Sequence, residues 1–339
     1  MPGERPDLTV ETLEAAGLDE QFEAVEDAVQ RHVEGKIANI AVVSEPFAGR
    51  DIFLDYAEQE FGAATGRIGF ESLVTDELPE FPNAEIILVD NCQYLYRRKI
   101  GGFDMLKTFL DRIATHDSLF VTAWNRYAWS YLTAVHDLES AFPETIHIPR
   151  LDASQIGALL RSHHGKPLPM FEEGDHSGRM KTLDLELDAV DAGLLAVPVP
   201  RLKVNNEYVL SRIRTDVETD TEAVVYQRIA QLSEGDPGVA LILWERSIED
   251  DSISPSDVQA VDQSVDTNRD EAFILEMILT NESIAYDHLV DICADIDVDQ
   301  ALQTLLTQEV VTIENDCVHI EPTRLYSTVE YLERRQLVW

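Results

Sequence analysis

The chain has 339 residues and carries 64 Asp and Glu against 26 Lys and Arg, a formal net charge of −38, with 45% hydrophobic residues. That apolar share recurs along the whole length, which suffices for a sizeable core divided among two or three units and excludes a disordered chain. The charge disfavours free contact with phosphate or an anionic bilayer, three scattered cysteines (Cys92, Cys293, Cys317) exclude a disulfide framework or zinc cage, and no run approaches the roughly 18 apolar residues of a membrane span, so a soluble cytoplasmic protein is expected.

Residues 20–35 place Phe22, Val25, Ala28, Val29 and Val33 at helical spacing and predict an amphipathic helix. The short β-branched run 37–43 predicts a buried strand that enters SEPFAGRD and a second helix, DIFLDYAEQEFG. A second buried strand, 84–90, ends on Asp90; a helix near 103–115 and a third strand, 118–122, lead to Ala123, Trp124 and Asn125. A fourth strand, 145–149, precedes the N-cap pattern Asp152–Ile156 of another helix. Strands alternating with helices imply a mostly parallel sheet covered on both faces. Residues 165–219 mix Pro, Gly and charge and read as an insertion, with strands at 182–187 and 208–213. Helix resumes over 220–250, broken at Gly235-Asp236-Pro237-Gly238, and 251–266 has linker composition with a short helix start at Ser254–Asp257. In 267–339, helices at 268–280, 284–293 and 298–308, a hairpin pairing 310–313 with 317–320 around Asn315-Asp316, and a last helix after Pro322 predict a winged helix-turn-helix.

Segment 40–61, a strand, a loop ending in Gly49-Arg50 and a helix, resembles the Walker A region of AAA-type ATPases, and Ile86-Ile87-Leu88-Val89-Asp90 resembles Walker B. Asn125 matches the family's sensor-1 position, and Ile148–Leu151 with the helix to Arg161 is similar to its last core strand and the approach to the lid. With lid-like helices around 235–241 and a terminal winged helix, the order is similar to that of origin-recognition and STAND-type regulatory ATPases, over most of the chain except 165–215. The resemblance implies an α/β P-loop core (1–164), an insertion (165–219), a helical lid (220–250), a linker (251–266) and a winged helix (267–339). It also implies ATP with Mg²⁺ as cofactor, Asp90 holding the metal through water.

The motif letters depart from that family. Phosphate binding uses G-x-x-x-x-G-K-[ST] so that backbone N–H groups face the phosphates, Lys reaches the terminal oxygens and a hydroxyl meets Mg²⁺. Here the eight positions are Ser44, Glu45, Pro46, Phe47, Ala48, Gly49, Arg50 and Asp51. Arg50 keeps a positive charge but not an ammonium's shape. Asp51 replaces the hydroxyl, and Glu45 adds a second carboxylate. Asn91 follows Asp90 where a water-activating Glu is usual, and an amide cannot accept that proton. No arginine lies near Gly238-Val239-Ala240 to act as sensor 2; Arg246 is about two turns farther. These losses predict a degenerate site with little or no ATP hydrolysis and a regulatory or scaffold role through protein contacts. The enzyme alternative is an atypical ATPase in which Arg50 replaces the lysine.

A third reading is a DNA-binding regulator. The third helix of the winged unit exposes Asp299, Gln300, Gln303, Thr304, Thr307 and Gln308 without a cation, which argues against phosphate contact and for a protein partner. His163, His164, Glu172, Glu173, Asp175 and His176 read as a solvated turn rather than a metal cluster, and Trp124, Tyr127, Trp129 and Tyr131 as rings packed beside the sheet. With 6 Lys against 20 Arg, the chain resembles proteins of salt-loving archaea, in which the acidity is an adaptation to concentrated salt.

Overall fold

A computed structural model describes residues 7–35, 39–173, 183–191, 196–204, 220–259 and 265–338; Val33, 183–191 and 196–204 are described in backbone only. Helices α1 (Val10–Ala15) and α2 (Asp19–Val33) precede strand β1 (Ile40–Ser44), which is buried along its whole length, and helix α3 (Arg50–Phe61). Strand β2 (Thr65–Gly69) and the apolar β3 (Ile86–Asp90) follow, then α4 (Asp104–Ala114), β4 (Leu119–Asn125), α5 (Arg126–Val135), the single turn α6 (Leu138–Ala141), β5 (Glu144–His147) and α7 (Ala153–His164).

The five strands form one parallel sheet in the order β2-β3-β4-β1-β5. From β1 the chain crosses through α3 towards β2 and β3; from β4 it crosses through α5 in the opposite direction to β5. Right-handed crossovers in opposite directions place their helices on opposite faces, so the sheet is covered on both sides. This is a P-loop NTPase-like fold. The strand order reverses between β1 and β4, whose register pairs Ser44 with Asn125. The ends of β1, β3 and β4 therefore open on the crevice where such sheets hold ligands.

The core is continuous from the sheet into the C-terminal region, with Phe53, Phe109, Phe120, Trp124 and Phe142 almost fully buried. Trp124, Trp129 and Phe142 meet edge to face beside the sheet, as expected for the aromatic run. Strand β6 (Met170–Phe171), the antiparallel pair β7 (Leu183–Asp191) and β8 (Ala196–Val204), helices α8 (Thr221–Leu232) and α9 (Pro237–Ser247), and β9 (Ser252–Ile253) come next. β9 pairs with β6, and Ile253 and Val258 are buried, so part of the stretch expected as linker is packed. Ser254–Asp257 is a turn closed by the Asp257 carboxylate rather than a helix start. The strand expected at 208–213 lies outside the described residues.

The C-terminal region contains α10 (Arg269–Asn281), β10 (Ser283–Ala285), α11 (Tyr286–Ile292), α12 (Val298–Thr307), β11 (Val311–Glu314), β12 (Cys317–Ile320) and α13 (Leu325–Arg334). The expected three helices, hairpin and last helix are all present. β10 adds a third strand, in the order β10-β12-β11. Among the described residues no helix is long and apolar enough to cross a membrane.

Candidate functional site

The loop between β1 and α3 turns at Gly49, whose φ of 77° lies in the left-handed region that glycine enters at least cost. That turn starts α3 at Arg50 and leaves the guanidinium 5% exposed, at the carboxyl ends of the strands. Burial would lower its pKa, but the facing Glu282 carboxylate, together with Asp90 and Asp51, outweighs burial and raises it, so Arg50 stays charged.

Glu282 follows directly on α10 and reaches Arg50 across 232 residues of sequence. The two form a fork: Arg50 Nη1 to Glu282 Oε1 at 2.7 Å and Nη2 to Oε2 at 2.7 Å. Paired N–H donors matched to two carboxylate oxygens make the strongest form of such a contact. Asn125 Nδ2 donates to Glu282 Oε1 at 2.8 Å and to the Leu279 carbonyl at 3.0 Å, while its Oδ1 accepts from the N–H groups of Tyr127 and Ala128 and caps α5. Arg50 also donates to Asn91 Oδ1 at 3.3 Å, and Asn91 Nδ2 donates to the Phe70 carbonyl at 3.2 Å. The three motif positions marked in the sequence by Arg50, Asn91 and Asn125 thus converge. The anion that brings Arg50 and Asn125 together is a side chain of the same protein. Asn125 itself closes β4 rather than following the strand.

Asp90 accepts from the Asn91 N–H at 2.8 Å and from Arg67 on β2 at 3.4 Å. Asp51 lies half-buried in the first turn of α3, where a carboxylate is favoured by the helix N-terminus. Glu45 is 5% exposed and does not stand as a bare charge in the loop. Arg126 donates to its Oε1 at 2.9 Å, Arg150 to the same oxygen at 3.1 Å, and the Tyr127 hydroxyl to Oε2 at 2.5 Å. Burial first, and Glu45 second, raise the Tyr127 pKa, so the phenol stays protonated and donates. Ser44 donates to the Glu45 carbonyl at 2.7 Å. Pro46, Phe47 and Ala48 complete the short loop, with the Pro46 carbonyl 3.5 Å from Arg50 Nη1.

The same C-terminal elements hold the loop that follows β3. Tyr94 donates to the Ser283 carbonyl at 2.8 Å, Arg97 and Lys99 reach Asp291 at 3.1 and 2.5 Å, and Arg98 pairs with the buried Glu276 while its guanidinium lies 4.5 Å from the centre of the Tyr131 ring. Arg246 bonds Glu321 at 2.8 Å. His163 bonds Glu245 and His164 packs edge-on against Trp244, whereas Asp175 and His176 lie outside the described residues. Among the described residues no group of three or more His, Cys, Asp or Glu side chains is placed to hold a metal ion.

Sequence reasoning missed Glu282, Arg126 and Arg150. Nothing in motif spacing links Glu282 to a loop 232 residues earlier. The cation pair around Glu45 was legible only as an acid inside a phosphate-loop pattern, an unfavourable residue that calls for a partner.

No protein-family profile matches the chain, and no curated protein matches it. Among solved structures, the Holliday junction branch migration motor RuvB of Thermotoga maritima is similar at 10% identity over 89% of this chain and 91% of that one, TM-score 0.41. Cdc6p from Pyrobaculum aerophilum is similar at 12% identity over 99% and 97%, TM-score 0.44, and a Walker-type ATPase of Pyrococcus abyssi at 10% identity over 92% and 95%, TM-score 0.39. The fold itself is defined by the strand order and crossovers of this chain.

Proposed function

We propose that this chain is a regulatory or scaffold protein built on an AAA/STAND-like P-loop core, with a helical lid (220–250) and a winged helix (267–339). It works in concentrated salt through protein contacts rather than ATP turnover. The observation that carries this reading is the Arg50–Glu282 fork: the cation in the phosphate-lysine position already has a carboxylate partner from the C-terminal region. In this arrangement residues 44–51 do not fit a triphosphate with Mg²⁺. Asp51 adds negative charge where a hydroxyl would meet the metal, Asp90 is engaged by Arg67, and Asn91 cannot take a proton from water.

Protein contact is favoured over DNA because Asp299, Gln300, Gln303 and Thr307 are exposed on α12 with no cation among them, and the hairpin tip is Asn315-Asp316. The test is phosphate release from Mg·ATP in molar potassium chloride, by wild type and by Arg50→Ala. The proposed role predicts no turnover above the blank for either. Turnover by the wild type that Arg50→Ala abolishes would establish the atypical-ATPase alternative instead.

A further inference from the structure

Asp236 stands where three parts of the chain meet. It lies in the turn between α8 and α9, 3% exposed, beside a small cavity walled by the core, by the turn itself and by α13 of the C-terminal region. Its Oδ1 accepts from the Val239 N–H at 2.9 Å and caps α9, so the carboxyl cannot swing away without uncapping that helix. Its Oδ2 is buried without a partner.

The groups around it do not answer a negative charge. On the core side Glu45 takes the donors of Arg126, Arg150 and Tyr127, and Arg150 also reaches Glu234 in the turn at 3.4 Å. Glu282, beyond α10, is held by Arg50 and acts on Asp236 as a like charge. From the C-terminal region α13 brings the apolar Leu325 and Val329, with Tyr326, whose phenol is kept protonated first by burial and second by Glu234. Arg324, buried in the turn before α13, packs along α9, and the carboxylate that acts on it is Glu309. A neutral acid suits these surroundings: burial first, then Glu45 and Glu282, raise the Asp236 pKa to about 7 against the opposing Val239 hydrogen bond.

One wall of the cavity is free to move. The Gly235 carbonyl accepts from the Leu151 N–H at 2.8 Å, and a Cβ at Gly235 would lie 2.4 Å from the Leu151 carbonyl oxygen, so turn and core close on each other without slack. The α13 wall meets the cavity through two aliphatic side chains and through Tyr326, which is 36% exposed at the rim. It is the wall that gives when a buried charge must be reached by water.

We propose that Asp236 is a proton-operated latch on the C-terminal region: as the neutral acid it lets α13 close over the turn, and on giving its proton to solvent it draws water into the cavity and releases α13. The closed state holds a proton that the open state, with Asp236 in water near 3.8, does not. Opening therefore becomes more favourable as pH rises from about 3.8 to about 7, by up to about tenfold per pH unit, and no further above that.

The test is hydrogen exchange of the full chain, followed by mass spectrometry in molar potassium chloride between pH 5 and pH 8.5, with rates corrected for the intrinsic pH dependence of amide exchange. In the wild type α13 is expected to exchange through its own opening, ahead of β4 at every pH. Its protection should fall by up to about tenfold per pH unit to about pH 7 and then level off. Asp236→Asn keeps the capping oxygen and should hold α13 equally protected across the range. Should that variant not fold, Asp236→Ser caps the helix without titrating and carries the comparison. Wild-type protection of α13 that is independent of pH, a pH dependence that survives in the variant, or equal protection of α13 and β4 throughout overturns the proposal.

Discussion

Asp236 caps α9 by accepting from the Val239 N–H at 2.9 Å through Oδ1, and its other carboxylate oxygen is buried without a partner. Burial, opposed by that hydrogen bond and reinforced by the carboxylates of Glu45 and Glu282, pushes its pKa up from 3.8 to about 7. The folded state therefore holds a proton that the unfolded chain has already released in this interval. Stability from this group is complete below about 3.8 and is lost as pH rises towards 7. Asp236→Asn keeps the capping oxygen and removes the titration. The variant should gain on wild type as pH rises from about 3.8 to about 7, by up to about 1.4 kcal/mol per pH unit, with no further gain above, in paired urea unfolding curves. A wild-type-to-variant difference independent of pH would show that this carboxyl titrates normally. Arg50, Asn91 and Asn125 were legible as site residues because each ends or follows a strand at a motif position. Glu282 and Asp236 were not, because both act through tertiary approach that leaves no local spacing.

The central strands β1, β3 and β4 were legible as elements because each is a short β-branched or apolar run, buried on both faces. β2 was missed: its sequence, Thr65-Gly66-Arg67-Ile68-Gly69, contains two glycines and one large apolar residue, and it lies half-exposed at the sheet edge. The three-residue β10 was missed for a related reason, since its only signal is pairing with β12. Helix packing supplies a check at this scale. Gly157 in α7 faces α8 so closely that an added Cβ would lie 2.7 Å from the ring of Tyr226, which is itself buried. Alanine is the better helix former by about 1 kcal/mol, yet overpacking costs about 1–3 kcal/mol. Gly157→Ala should therefore lower stability by about 1 kcal/mol, and Tyr226→Leu in the same chain should recover part of it. A more stable Gly157→Ala would mean that the two helices separate freely at this point.

At the scale of the whole molecule, the net charge of −38 opposes compaction wherever salt does not screen it. Cooperative unfolding is expected in molar potassium chloride, where the Debye length falls to about 3 Å, and a much lower Tm in dilute buffer; equal Tm values in the two conditions would contradict this. The same charge distribution shapes the docking of the C-terminal region, where basic residues of the core, Arg50, Arg97, Arg98 and Lys99, meet Glu282, Asp291 and Glu276. A buried ion pair contributes little compared with an apolar pair of the same volume, but an unpaired buried charge costs about 3–5 kcal/mol. The central claim is that Glu282 is the principal partner of the Arg50 charge, through a direct two-point contact. Its most direct test is a double-mutant cycle in molar potassium chloride with Arg50→Met, Glu282→Leu and both together, followed by urea unfolding. Each single variant should be strongly destabilised and the double much less than their sum, with a coupling of at least about 2 kcal/mol; effects that add to within about 0.5 kcal/mol would contradict the account.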